Sequence, residues 1–156
     1  MTLQKNNTVR VYKTRKNSKL PVRAHPTDAG MDFFFCPSDS MVALRIPPQA
    51  SAVIETGIKM EVPSGYMLQI MNKSGIASKR HLLVGACVVD EGYNGEIFIN
   101  LHNVGNKVQF LDPGQKIAQA VFVKIEKPEL NVTLEDKIYD EDTPRGTGSL
   151  GSTGDN

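Results

Sequence analysis

The chain has 156 residues, is 40% hydrophobic and 22% charged, and carries a formal net charge of +1. That length suits one domain with a sizeable core. The near-neutral balance gives no global field for nucleic acid, so any bound anion must be held by local groups.

In chain order the texture is strands punctuated by turns. TVRVY, residues 8–12, alternates polar and apolar, and DAGMDFF, 28–34, sets Asp32 at the start of an apolar strand. In VIETGIKMEV, Ile54, Thr56, Ile58, Met60 and Val62 fall on one face, and Glu55, Gly57, Lys59 and Glu61 on the other. That is the period of a half-buried strand. Pro63–Gly65 reads as a turn before the strand YMLQIM. SGIASKR is the one stretch suited to a short helix, beginning at Ser74. HLLVGACVVD is nearly continuous in apolar residues, and its Val content predicts a buried strand. Asn94-Gly95 predicts a tight hairpin turn, after which EIFINLHN alternates again. Asp112–Gly114 is a turn leading into QKIAQAVFVKI, another strand. Many short strands at regular spacing indicate an all-β barrel or jelly roll.

Function classes narrow further. No apolar run is long enough to span a bilayer, and the basic N-terminal stretch lacks the apolar segment of a signal peptide. Cys36 and Cys87 form no CxxC pair, which fits two structural thiols in a reducing compartment. His25, His81 and His102 show no metal-ligand spacing.

Some polar residues interrupt the pattern. Gln119 shares its parity with Ile117, Val121 and Val123. It is either a satisfied amide at an edge or part of a face that opens onto a pocket. Asp90 ends an apolar run, where an aspartate serves as a turn cap or as a general base at the mouth of a strand. Tyr93, three residues on, either packs inward or offers its ring to a ligand. Asn72–Gly75 joins a cation, a hydroxyl and a glycine ahead of the short helix, a composition that suits phosphate but is common in surface loops. The C-terminal RGTGSLGSTG has too little apolar surface to hold itself in place. It is a frayed terminus or a tail that orders on an anion, with Arg145 as a bidentate fork.

Taken together these segments resemble the trimeric all-β dUTPase family, which carries five ordered motifs. AGMDF resembles the first and YMLQIMNKSGIASK the second. GACVVDEGYNGEI is similar to the third, PGQKIAQAVF to the fourth and RGTGSLGSTG to the fifth. The resemblance implies a distorted jelly-roll (β-clip) barrel with at most one short helix. It implies a β domain over 1–140 and a glycine-rich arm over 141–156 that closes on the substrate. A homotrimer with sites shared between subunits is also implied, in a cytoplasmic or nuclear compartment and with neither nucleic acid nor membrane as partner.

The activity implied is hydrolysis of dUTP to dUMP and pyrophosphate by attack of water on the α-phosphorus, limiting uracil in DNA and supplying dUMP. By the same resemblance Asp90 is catalytic, holding the attacking water. Lys73, Ser74, Gly75 and Gln119 face the phosphates. Gly85, Val88 and Val89 belong to the stretch that reads uracil through its backbone, and Tyr93 stacks under the deoxyribose to exclude a 2′-hydroxyl. Arg145 clamps the triphosphate, Leu150 covers the base, and Gly151, Ser152 and Thr153 add hydrogen bonds. Mg²⁺ is the implied cofactor, held largely hydrated, with Asp32 touching it through water.

The chain departs from the family pattern at four places. Leu150 stands where an aromatic residue is usual, Lys73 where arginine is usual, and Gly92 and Gln115 where acidic residues are common. Two other readings stay open. A dCTP deaminase of the same superfamily needs an acid/base glutamate, for which Glu91 and Glu96 are available. A regulatory protein on the same scaffold needs no catalysis.

Overall fold

Eleven strands and one α-helix form among the described residues, which are 8–39, 42–139, 141 and 146 of this computed structural model. The strands are β1 (Val11–Lys13), β2 (Met31–Phe34), β3 (Leu44–Ile46), β4 (Ser51–Glu55), β5 (Ile58–Met60) and β6 (Tyr66–Met71). After α1 (Ser74–Arg80) come β7 (Leu82–Val84), β8 (Val88–Val89), β9 (Phe98–Asn103), β10 (Gln109–Leu111) and β11 (Lys116–Lys124). They make four small sheets with orders β1-β5, β10-β3, β2-β11-β6-β8 and β4-β9-β7, and every pairing is antiparallel. The expected all-β architecture with one short helix is what forms. Residues up to Glu126 make one compact unit and those from Lys127 a smaller second one, which contains a 3-10 turn at Glu135–Lys137.

The parity read from VIETGIKMEV holds. Ile54, Thr56, Ile58, Met60 and Val62 are all buried. The single strand does not. Gly57 sits at φ +69°, and a Cβ there would lie 2.0 Å from Ser18 Oγ. This left-handed position, open to glycine, breaks the run, so β4 pairs with β9 while β5 pairs with β1.

HLLVGACVVD departs further from its reading as one buried strand. It splits at Gly85–Cys87 into β7 and β8, which join different sheets, and Leu83 and Val88 are exposed. Nor does a hairpin form at Asn94-Gly95. The chain turns earlier, where Tyr93 N–H donates to the Asp90 carbonyl with Gly92 at φ +86°, and β8 and β9 do not pair with each other. In TVRVY only the last residues pair, as the start of β1.

Phe33, Ile46, Ile54, Ile58, Leu68, Ile99, Leu101, Leu111 and Ile117 form the centre of the core. Burial of each large side chain stabilises the fold by at most about 1.5–3 kcal/mol. Two of the polar residues inside, Thr56 and Asn103, are paired with backbone. Thr56 Oγ1 donates to the Ile97 carbonyl, and Asn103 Nδ2 donates to the carbonyls of Ile46 and Lys107 at 3.0 and 2.8 Å. Asn103 Oδ1 accepts from Gly105 N–H at 3.1 Å.

Candidate active site

Two groups of polar residues stand out, each placed by a different part of the four-stranded sheet. The first lies at its edge. β8 pairs with β6 through Leu68↔Val89 and Gln69↔Val88, and among the described residues no strand pairs on its other side. Such an edge presents unpaired backbone donors and acceptors, here on Val88 and Val89. Asp90 follows directly and is exposed. The turn after it carries Tyr93 back over the strand end, so that Val88, Val89, Asp90, Tyr93, Ile97 and Phe98 line one cleft of about 200 Å³. The Tyr93 hydroxyl donates to the Glu96 carbonyl at 2.7 Å.

The second group lies where β2, β11 and the start of α1 meet. Asp32 on β2 faces Gln119 on β11 across the ladder. Asp32 is 5% exposed and carries two ammonium partners. Lys73 Nζ donates to Oδ1 at 2.9 Å, and Lys116 Nζ lies 2.7 Å from Oδ2 as an ion contact without an aligned hydrogen bond. Burial pushes the Asp32 carboxyl upward, and the contacts to Lys116 and Lys73 outweigh it, so the group stays below the ordinary carboxylate range. Gln119 Nε2 donates to the Asn72 carbonyl at 2.9 Å. Its amide crosses the space beside Gly30, where a Cβ would stand 2.1 Å from Gln119 Oε1.

Lys73 is the cap of α1 and Ser74 its first residue, and both Ser74 and Gly75 are exposed. Apart from its chain neighbours and its own helix backbone, no described residue lies within 4 Å of where a Gly75 side chain would begin.

The fold therefore gathers Val88, Val89, Asp90 and Tyr93 in one cleft, and Asp32, Lys73 and Gln119 in one network with Ser74 and Gly75 adjoining. None of the second group lines the cleft of the first. Gly85 is not in the wall of that cleft, and a Cβ there would collide with the side chains of Asn100 and His102 on β9. Arg145, Leu150, Gly151, Ser152 and Thr153 lie outside the described residues.

Lys116 was not legible as a site residue. The ladder between β11 and β2 shifts register between Lys116 and Ala118, an irregularity that alternation in the sequence does not announce. The glutamates open to a deaminase reading are both engaged. Glu96 takes the Arg15 guanidinium and Gly57 N–H, and Glu91 Oε2 accepts from Gly65 N–H at 3.2 Å. Among the described residues no group of three or more His, Cys, Asp or Glu could hold a metal ion directly, and no helix is long and apolar enough to cross a membrane.

The site can be set beside known proteins. A family model described as dUTPase matches residues 16–154. A deoxyuridine 5′-triphosphate nucleotidohydrolase of Clostridium novyi is 38% identical over 146 residues, 92% of this chain and 96% of that protein. The mitochondrial human protein of the same name is 34% identical over 148 residues, 95% of this chain and 55% of the longer human one. Among solved structures, a variant dUTPase of Staphylococcus bacteriophage 80alpha with dUpNHpp superposes with a TM-score of 0.83 at 30% identity, covering 95% of this chain and 99% of that one. A phage phi11 dUTPase variant, described with a structural Mg(II) ion, gives a TM-score of 0.75 at 28% identity, covering 86% of this chain and all of that one. With a family model spanning most of its length and relatives similar from end to end, the chain belongs to the dUTPase family.

Proposed function

We propose that the protein is a dUTP diphosphatase, hydrolysing dUTP to dUMP and pyrophosphate by attack of water on the α-phosphorus. The observation that carries the reading is the cleft itself, in which a solvent-facing carboxylate, a tyrosine ring and an open backbone edge meet in a chain of this family. Asp90 holds the attacking water. A carboxylate is a weak base for water, so its larger contribution is alignment. The Val88–Val89 edge reads uracil through backbone donors and acceptors. Cytosine, with the opposite pattern, would leave buried partners unpaired at about 1–3 kcal/mol each. Tyr93 packs under the sugar where a 2′-hydroxyl would go.

The triphosphate repels any nucleophile, so neutralising it is the main catalytic task. Ser74, Gly75 and Gln119 contact phosphate oxygens, and the empty space beside Gly75 leaves room for them. Lys73 contributes a cation shared with Asp32, a point charge rather than a fork. Magnesium would supply further charge neutralisation on the phosphate oxygens. Asp32 is the carboxylate that would hold it through water, but it already takes Lys73 at Oδ1 and Lys116 at 2.7 Å from Oδ2, so magnesium would have to share it with those two cations. Arg145, Leu150, Gly151, Ser152 and Thr153 complete the reading as an arm, 141–156, that closes over the substrate.

Sharing of each site among three copies of the chain is supported by the separation of the two groups, since the phosphate-facing residues are not in the wall of the cleft that holds Asp90 and Tyr93. Two free thiols, Cys36 and Cys87, fit an intracellular compartment, cytoplasmic or nuclear.

The test is pyrophosphate release from dUTP, dCTP, dTTP and UTP in parallel. Release from dUTP alone is expected. Release from dCTP or UTP at a comparable rate, or from none, would overturn the assignment.

A further inference from the structure

Selectivity against a 2′-hydroxyl depends on Tyr93 staying in place, and the ring is exposed over 44% of its surface. An exposed aromatic on a turn is free to swing unless something holds it. Here the hydroxyl is tied to the Glu96 carbonyl. The ring also folds back over Gly95, where a Cβ would lie 2.7 Å from Cζ and 2.5 Å from the hydroxyl oxygen. How firmly Tyr93 is held therefore depends on how firmly Glu96 is held.

Glu96 lies between the turn and β9, outside any strand. Its side chain is fixed instead by residues distant in sequence. Arg15 grips it as a fork, Nη1 to Oε1 at 2.9 Å and Nη2 to Oε2 at 3.0 Å. Gly57 N–H donates to Oε1 at 2.8 Å. Arg15 Nη2 also reaches Glu55 Oε1 at 2.8 Å, and Glu55 Oε2 in turn accepts from Ser38 N–H at 2.8 Å. Burial works against the Glu96 carboxylate, yet Arg15 and the Gly57 amide hold it ionised below its ordinary range. The Arg15 and Glu96 side chains are only 17% and 13% exposed, so this is a partly desolvated fork rather than a surface pair. Such bidentate pairs add geometric definition as well as energy.

We infer that Arg15 is a specificity-determining positioning residue: by clamping Glu96 it fixes the carbonyl that anchors the Tyr93 hydroxyl, and so sets the preference for 2′-deoxy over 2′-hydroxy nucleotides. The inference rests on the dUTPase reading and extends it to a residue outside the cleft. Arg15 touches neither the cleft nor, on this account, the substrate. Its loss removes the counter-charge between Glu55 and Glu96. Glu55 keeps the Ser38 N–H and Glu96 the Gly57 N–H, and Ile97 N–H still donates to the Ile58 carbonyl at 2.8 Å, so the Glu96 carbonyl shifts under the repulsion rather than coming free.

The experiment measures kcat and KM for dUTP and UTP in the wild type, Arg15→Met, Arg15→Lys, Tyr93→Phe and the Arg15→Met/Tyr93→Phe double variant. The ratio of kcat/KM for dUTP over UTP is expected to fall about tenfold in Arg15→Met, the equivalent of one lost hydrogen bond to a fixed group. The fall should come mostly from a gain with UTP. Arg15→Lys, which keeps a charge but no fork, should fall between. Tyr93→Phe should lose the same preference, and the double variant should lose no more than Tyr93→Phe alone, because both changes cut one chain of contacts. A purely structural role for Arg15 would lower both nucleotides equally, and an unchanged ratio overturns the inference. If Arg15→Met does not fold, an unchanged ratio in both Arg15→Lys and Tyr93→Phe overturns it as well. A wild type that releases no pyrophosphate from dUTP would instead remove the dUTPase reading, and this inference with it.

Discussion

Replacing Asp32 by asparagine removes the charge between Lys73 and Lys116 while keeping the shape of the side chain. The asparagine oxygen can still accept from one lysine, but its amide then points N–H groups at the other ammonium. Removing one partner of a buried ion pair costs roughly 3–5 kcal/mol. Here the lysine side chains are 33% and 40% exposed, so water screens part of that loss, and about 1–3 kcal/mol is the expected destabilisation. At roughly 2–4 °C per kcal/mol for a domain of this size, the melting temperature should drop measurably. The pH dependence has a definite sign. The folded carboxyl is held below its ordinary value, which is about 3.9, so its contribution is complete above that value and is lost as pH falls through the lower, folded one. Thermal melts of the wild type and Asp32→Asn should therefore differ by a constant margin between neutral pH and mildly acidic pH. That margin should shrink once pH drops below about 4. Equal melting temperatures at neutral pH, or a margin that grows as pH falls, would refute the reasoning.

The same geometry supports further predictions. Gly30→Ala places a methyl group on the Gln119 amide and breaks its bond to the Asn72 carbonyl. Steady-state assays should show kcat/KM for dUTP down by about tenfold or more, as for one displaced polar contact to phosphate. Because the Gln119 side chain can move aside, the melting temperature should change little. Asn103→Leu orphans the carbonyls of Ile46 and Lys107 and the N–H of Gly105. Only the Ile46 carbonyl is buried, the other two being within reach of water, so with one unpaired buried group urea unfolding should report a loss of about 1–3 kcal/mol.

Alternation carried far in this chain because it depends only on which side of a strand faces the core. Ile54, Thr56, Ile58, Met60 and Val62 show this, all facing inward across a break in the strand itself. The break was less legible. Gly57 falls on the polar parity, where a glycine draws no notice, and only the fold reveals its left-handed φ and its close approach to Ser18. HLLVGACVVD misled for a related reason. Its apolar residues are shared between two sheet edges, and an exposed Val88 in a cleft looks the same in sequence as a buried one. Position alone leaves Asp90 as a turn cap or a base and Tyr93 as a core or ligand contact; they could be singled out because both fall in GACVVDEGYNGEI, which resembles the third family motif. Lys116 and Arg15 could not, because a lysine or arginine near a strand end is ordinary until the fold supplies its partner. Those partners, Asp32 and Glu96, lie 84 and 81 residues away in the chain.

The most direct test of the central claim separates chemistry from binding at Asp90. Turnover of dUTP and affinity for the unreactive analogue dUpNHpp would be measured side by side for the wild type and Asp90→Asn. If Asp90 holds the attacking water, turnover should fall by about 10²–10⁴-fold while the analogue binds nearly as before. Wild-type turnover in Asp90→Asn would contradict the account, because the carboxylate at the mouth of the cleft would then have no part in the reaction.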